Sequence, residues 1–483
     1  MEETGKYEVV VGLEIHVRLL TKSKLFCGDE TAFGAPPNSQ VSPVSLGHPG
    51  TLPKLNKEAI RYAVSMGIAC NCTTSNNSYF ARKHYFYPDL PKGYQVTQHT
   101  TPICSGGYIS IETDKGENKV RLNRIHLEED AGRSVHDVDE YATAIDYNRA
   151  GTALIEIVTE PDIRSGEEAH ACVEAIRRTV RYLGIGDGNM EEGSLRCDVN
   201  ISVRRKGDPE LGTKVEIKNL NSLRNVKRAV EAEGERLIGM TINGEKILQE
   251  TRSFDLATNT TFATREKEDA HDYRYFPDPD LPPFYMSGEE IDAIRSTLPA
   301  LQQQRVEKYT KELQLSLYDA RLLADDREFA DFFEEVVDTK IVQAKTAANW
   351  MLGPVKTWMN EHNAEIAAFP LRPRVIAALA ALPEKGTTSY TAASTKIFDH
   401  LLLHPAYEPA DAARELNLLQ QSDVLELEPV IDAVLQKFGP RVEEYRKGKK
   451  GLLSLFVGEV MKRTGGKADP KITNELLVKK LKS

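Results

Sequence analysis

Val9-Val10-Val11-Gly12-Leu13-Glu14-Ile15-His16-Val17 reads as a β-strand with Leu13, Ile15 and Val17 on one face and Glu14 and His16 on the other. Leu154-Ile155-Glu156-Ile157-Val158 sets Glu156 opposite Ile155 and Ile157, and Cys197–Val203 and Val215–Lys218 repeat the alternation. A sheet assembled from these runs has one apolar face and one face carrying Glu, His, Asp, Asn and Lys. Taken alone, Glu14 and His16 fit an ordinary solvated face. Several acids and one imidazole on a shared face point instead to hard divalent cations and phosphate chemistry.

A chain of 483 residues exceeds one ordinary core and implies two to four domains. Its 40% hydrophobic and 28% charged residues describe a soluble globular protein, and no apolar run has the length of a membrane span. The acidic Met1-Glu2-Glu3 start leads directly into a strand and is no signal peptide, so a location in the cytoplasm, or in an organelle matrix after processing, is expected. Six cysteines (Cys27, Cys70, Cys72, Cys104, Cys172, Cys197) are too few for a disulfide scaffold. Cys70-Asn71-Cys72 has no second pair to complete a zinc site. A net charge of −10 argues against indiscriminate nucleic-acid binding. From Arg441 onward, however, Arg446, Lys447, Lys449, Lys450, Lys462, Arg463, Lys467, Lys471, Lys479, Lys480 and Lys482 meet few acids. An acidic body with a basic tail suits selective contact with a phosphate backbone.

Residues 1–296 alternate strand-like runs with Gly- and Pro-bearing turns. Two helices are predicted there: Gly166–Leu183, with Ala169, Cys172, Val173, Ile176 and Val180 at helical spacing, and Leu223–Ile238. Asp272–Pro283 carries prolines at 277, 279, 282 and 283 and reads as a rigid loop. Residues 297–409 turn helical, with runs at 317–324, 328–337, 346–362 and 373–382. Residues 410–483 form a small helical tail, with Lys462–Lys467 as a turn between its last two helices. The fold class is therefore α+β and multidomain.

His126-Leu127-Glu128-Glu129-Asp130-Ala131-Gly132-Arg133 adds a dense acidic group, and Glu156 and Asp198 contribute two more acids. Half-buried carboxylates that converge need a counterion. The oxygen-rich, sulfur-poor set suits Mg²⁺ with ATP phosphates better than Zn²⁺. Cations interleave with aromatics in Arg82-Lys83-His84-Tyr85-Phe86-Tyr87 and Lys92-Gly93-Tyr94, read as loops; Arg149, Arg196, Arg204 and Lys218 add to them. They read either as surface charge or as clamps for phosphates and stacked nucleotides. The chain has no Gly-x-x-x-x-Gly-Lys-Ser/Thr loop, no dinucleotide fingerprint and no nucleophile elbow. Covalent nitrogen or acyl chemistry would thus need another chain.

Together these blocks resemble one family, the B subunit of the aspartyl/glutamyl-tRNA amidotransferase. The likeness rests on GLEIHVRL (Gly12–Leu19), YFYPDLPKGYQ (Tyr85–Gln95), HLEEDAGR (His126–Arg133) and DYNRAGTALIEIVTEPDIRS (Asp146–Ser165). It continues through MEEGSLRCDVNISV (Met190–Val203), GTKVEIKNLNS (Gly212–Ser222), ETRSFD (Glu250–Asp255), DYRYFPDPDLPP (Asp272–Pro283) and LFVGEVMKRTGGKADP (Leu455–Pro470).

The resemblance implies a protein that works with an amidase (glutaminase) partner and a small third partner on misacylated tRNA. ATP would phosphorylate the side-chain carboxyl of Glu-tRNA or Asp-tRNA, and ammonia from the amidase would then displace phosphate. It implies an N-terminal antiparallel-sheet domain of the glutamine synthetase and guanido kinase kind, followed by the helical and tail domains. Carried over by position, Glu14, His16, Glu129 and Glu156 would hold Mg²⁺. Lys83, Asp198 and Glu216 would line the ATP and acyl-phosphate pocket, with Arg196 and Lys218 as further candidates. Many relatives carry Cys-x-Cys and Cys-x-x-Cys where this chain has Cys27-Gly28-Asp29 and Ser42-Pro43-Val44-Ser45. No zinc is therefore expected, and packing alone would hold that segment. The alternative function is a free-standing amide ligase of the glutamine synthetase type; a tRNA-binding scaffold would have no use for the clustered acids.

Overall fold

In a computed structural model of the chain, residues 4–136, 138–266, 273–419, 424–465 and 468–482 are described. Asp272 of the proline-rich loop, and Gly466 and Lys467 of the tail turn, lie outside the described residues. Met1–Leu301 and Gln302–Ser483 form two compact units.

The first unit is built on a sheet of thirteen strands among the described residues. Its main path uses β1 (Tyr7–Arg18), β2 (Ala81–His84), β3 (Tyr94–Thr97), β4 (Gly116–Glu129) and β5 (Ala153–Thr159). It is completed by β6 (Leu195–Arg205), β7 (Val215–Leu220), β8 (Glu250–Asp255), β9 (Thr260–Glu266) and β10 (Phe276–Pro277). The spatial order is β9-β8-β7-β6-β1-β5-β4-β3-β2-β10. The sheet is antiparallel along this path except for β7 and β8, which run parallel. The long helix between those two strands supplies the crossover that a parallel pair requires. Pro277 sits in the terminal strand, where its missing N–H leaves no ladder bond broken.

Burial along β1 alternates as its sequence dictates, with Leu13, Ile15 and Val17 inside and Glu14, His16 and Arg18 half-buried. Helices α1 (Lys57–Ala69), α2 (Gly166–Leu183) and α3 (Leu223–Asn243) contribute to the core formed by the strands' apolar face. Ser165 and Ser222 cap α2 and α3 by accepting from Glu168 N and Asn225 N, and Gly184 and Gly244 end them in the left-handed conformation. Helix α1 was not anticipated. Its signal is short: Asn56 as cap, then Ala59, Ile60, Ala63 and Val64 as the buried stripe. Gly67 allows α1 to approach the sheet, since a Cβ there would fall 2.1 Å from Cys104 Sγ. Arg82, Lys83 and Tyr94 also differ from expectation: they stand on the β2–β3 hairpin, not in loops.

The connection from β1 to α1 is held by more than packing. The Asp29 carboxylate accepts from Ser42 Oγ at 2.9 Å and from the Ser45 hydroxyl and Cys27 thiol, which hold its pKa down despite burial. Lys24 Nζ, fully buried, lies 3.9 Å from Asp29 and donates to Tyr147 O at 3.3 Å. Burial lowers the Lys24 pKa against the pull of Asp29. One thiol, one carboxylate and two hydroxyls that donate to it do not make a tetrahedral thiolate set for zinc. Lys24→Met leaves Asp29 without its cation and should cost about 2–4 kcal/mol in urea unfolding.

The second unit is helical. Its helices include Leu317–Leu323, Arg327–Asp338, Pro373–Glu384, Leu453–Arg463 and Pro470–Lys482. The run 344–362 contains a π-helical turn at Met351–Val355, where Pro354 lacks the amide hydrogen of a regular ladder. Two hydrophobic cores are formed among the described residues. One gathers Tyr309, Phe333, Trp350, Ile376 and Leu401; the other gathers Leu427, Ile431, Phe456, Val460 and Leu477. Ala412 and Ala413 belong to the first, so the helix Pro409–Glu415 goes with the middle helices rather than with the tail.

Candidate active site on the polar face

The polar face of the sheet lines a cavity of about 1490 Å³. Strand register dictates what meets there. Across β6, β1, β5 and β4, one row reads Arg196, His16, Glu156, His126 and the next reads Asp198, Glu14, Val158, Arg124. Directly opposed residues have neighbouring side chains, so acids and imidazoles distant in sequence become contacts.

The first cluster joins two imidazoles and two carboxylates. His16 Nε2 lies 3.4 Å from Glu156 and 3.7 Å from Glu128, and His126 Nε2 lies at the same two distances from the same residues. Burial pulls the His126 pKa down, but Glu128 and Glu156 more than compensate and raise it to about 9. His16 is raised for similar reasons, and Glu156 is held well below the usual range by both imidazoles despite its burial.

The second cluster joins Glu14, Asp198 and Glu216, whose oxygens lie within 4.8 Å of one another. A β-bulge makes it. Cys197 faces Leu220 and Val199 faces Ile217, so Asp198 stands against both Lys218 and Asn219. Asn219 takes up the extra residue in the left-handed region at φ 63°, a conformation Asn tolerates. Lys218 Nζ reaches Asp198 at 2.6 Å and Glu216 at 3.0 Å, and both raise its pKa against the cost of burial. Thr251 Oγ1 donates to Glu216, and Asn200 Nδ2 donates to Glu14 at 2.8 Å.

Cations complete the wall. Arg196 donates to Asp130 at 2.9 Å, and Arg149 lies 3.4 Å from the same carboxylate. Lys83 Nζ stands 5.0 Å from the Tyr273 ring centre; burial lowers its pKa, but Glu128, the tyrosines and Glu156 leave it raised.

Eight of the nine residues singled out from the sequence line this cavity: Glu14, His16, Lys83, Glu156, Arg196, Asp198, Glu216 and Lys218. Glu129 does not. It is 1% exposed, accepts from Lys92 Nζ at 2.6 Å and from Val96 N at 2.8 Å, and stands apart from the acidic clusters. Glu128 lines the cavity instead, because residue 128 shares strand parity with His126 whereas 129 shares it with Ile125 and Leu127. The expected metal set of Glu14, His16, Glu129 and Glu156 therefore divides. His16 and Glu156 group with Glu128, and Glu14 groups with Asp198 and Glu216. His126 and Arg124 are further cavity residues that the sequence reading did not select.

The oxygen-only second cluster suits a hard cation such as Mg²⁺, and the mixed first cluster suits Mg²⁺ or a borderline divalent ion. In metal-free protein the first cluster carries a pH signature. His126 has a folded pKa above its ordinary 6.5, so its stabilisation is full below about pH 6.5 and is lost as pH rises through about 9. Unfolding of EDTA-treated protein should show stability falling across that window by on the order of 2 kcal/mol, with the slope reduced in His126→Gln.

Comparisons with known proteins agree along the whole chain. The GatB/GatE catalytic domain family matches residues 9–292, and the GatB domain family matches residues 331–481. The aspartyl/glutamyl-tRNA(Asn/Gln) amidotransferase B subunit of Geotalea uraniireducens is 49% identical over 479 residues, covering 99% of each chain. The proteins of the same name from Chlorobium phaeobacteroides and Thermodesulfovibrio yellowstonii are each 47% identical, over 98% and 99% of this chain and 99% and 100% of theirs. With its sheet, its two acidic clusters and this full-length likeness, the chain belongs to the aspartyl/glutamyl-tRNA(Asn/Gln) amidotransferase B-subunit family.

Proposed function

We propose that this chain is the kinase and amide-forming component of a tRNA-dependent amidotransferase, in a cradle of the glutamine synthetase and guanido kinase kind. The side-chain carboxylate of Glu-tRNA(Gln) or Asp-tRNA(Asn) attacks the terminal phosphorus of ATP, releasing ADP and leaving an acyl phosphate. Ammonia from a partner amidase then attacks the acyl carbon, and inorganic phosphate departs with the bond it held. A small third chain completes the heterotrimer, and the assembly works in the cytoplasm.

The observation that carries this reading is the pairing of two acidic clusters with four cations, Lys83, Arg149, Arg196 and Lys218, in one cavity. Phosphoryl transfer needs positioned charge rather than a protein nucleophile. Glu14, Asp198 and Glu216, and His16, Glu128 and Glu156, would hold Mg²⁺, which when bound neutralises phosphate charge. The sheet keeps these carboxylates fixed, Lys218 holds Asp198 and Glu216 together, and Asp130 orients Arg149 and Arg196. Lys83 and Arg196 present positive charge to the phosphates. The segment 1–296 would receive ATP and the tRNA acceptor end, and the basic helices of the C-terminal tail would contact the tRNA body.

Reconstitution with the amidase and the small third chain, misacylated tRNA, glutamine and ATP tests the reading. Gln-tRNA or Asn-tRNA should appear in step with ADP; ADP formed without tRNA and with a small-molecule amide would favour the free-standing ligase. Removing residues 424–483 should weaken tRNA binding and flatten its salt dependence, because each lost Lys or Arg contact releases one counterion fewer. An unchanged salt slope would place the tail outside the tRNA contact.

A further inference from the structure

Four cations at the acidic clusters have partners within the protein. Arg149 and Arg196 share Asp130, Lys218 bridges Asp198 and Glu216, and Lys83 lies among tyrosine rings. Arg18, Arg133 and Lys214 also line the cavity without an ion pair among the described residues, but Arg124 differs from them in having a buried N–H with no acceptor. It stands on β4 two residues before His126, lines the cavity and is half-buried. Its Nε is shut off from solvent without an acceptor, and among the described residues no carboxylate lies within 4.0 Å of its guanidinium. A buried guanidinium N–H without an acceptor is unfavourable unless a ligand completes it. A second atom beside it is in the same condition: Nδ1 of His126 is buried and has no partner.

Register fixes where an occupant would lie. Arg124 faces Val158, and Val158 faces Glu14. Two strand spacings separate Arg124 from the Glu14–Asp198–Glu216 cluster, about 10 Å. Val158 between them offers no charge. A group held at the acidic cluster through a cation, and extending along this row, would bring its own negative charge to Arg124. A polyphosphate has that form, and a guanidinium is the side chain best shaped to grip phosphate oxygens by two parallel N–H bonds.

We propose that Arg124 is a nucleotide-binding residue that grips a phosphate of ATP on the side of the cavity away from Glu14, Asp198 and Glu216. The assignment rests on the function proposed above. It makes Arg124 a cation whose buried N–H the substrate would complete, whereas Arg149, Arg196 and Lys218 also hold carboxylate partners within the chain.

The test uses the complex with its partner chains and compares wild type, Arg124→Gln and Arg124→Lys. Equilibrium binding of ATP with Mg²⁺, binding of misacylated tRNA and thermal unfolding are measured for each. Arg124→Gln should weaken ATP binding by roughly 10- to 100-fold while tRNA affinity and the unfolding midpoint hold. Arg124→Lys should recover part of the loss, as a point charge without the bidentate fork. Unchanged ATP affinity in Arg124→Gln would overturn the proposal. So would a loss confined to tRNA, which would assign the arginine to a tRNA phosphate, or a parallel fall in both affinities and in the midpoint, which would make it structural. If Arg124→Gln does not assemble, Arg124→Lys decides: ATP affinity equal to wild type overturns the proposal, and a selective loss supports it. Wild-type complex that binds no ATP would instead sink the functional reading.

Discussion

Glu128→Gln should reduce ATP-dependent amide formation by on the order of 10³-fold, about 4 kcal/mol of transition-state stabilisation. The substitution keeps the shape of the side chain and removes one negative charge from the cluster that Glu128 forms with His16 and Glu156. Both imidazoles approach Glu128 at 3.7 Å, so the charge is shared by the whole group. A phosphoryl-transfer site depends on placed charge, so this loss falls on turnover rather than on tRNA binding. Assembly with partner chains and tRNA affinity should stay near wild type. ADP release in the presence of misacylated tRNA is the measurement. Near-normal ADP release would show that the His16 cluster takes no part in the chemistry.

Glu129→Ala should behave in the opposite way. It removes the partner of Lys92, whose side chain is only 5% exposed, and strands a buried ammonium. Breaking a buried pair from one side costs about 3–5 kcal/mol, and urea denaturation should show that loss directly. Burial pushes the Glu129 pKa up more than Lys92 and the Val96 N–H pull it down. That balance marks a pair whose desolvation is poorly compensated. The double replacement Lys92→Met with Glu129→Leu should therefore recover most of the stability lost by Glu129→Ala. If Glu129→Ala unfolds like wild type while activity vanishes, residue 129 belongs to the chemistry after all.

Residues 128 and 129 lie on opposite faces of β4, and that much is legible in the sequence. Ile125 and Leu127 already define the buried parity of β4, so the even positions Arg124, His126 and Glu128 had to share the polar face. The position-by-position likeness to a family points to Glu129, whereas strand alternation puts Glu128 on the polar face. Helix α1 is hard to read from the sequence for a different reason. Its stripe covers barely two turns and ends at Gly67, whose value appears only when Cys104 is seen against it.

Alternating patterns determined the polar and apolar faces of β1, β5, β6 and β7, because side-chain period is a property of the local backbone. The same local logic set helix α2, from its serine cap to its closing glycine. Strand order and register were decided only by the tertiary structure. Whether Glu14 meets Asp198 or Glu156, whether Asp198 pairs with Lys218 across a bulge, and whether Lys24 reaches Asp29 depend on which strands and loops become neighbours. Neighbour choice is settled by burying the whole apolar face at once, a sum over distant segments that no single stretch of chain contains.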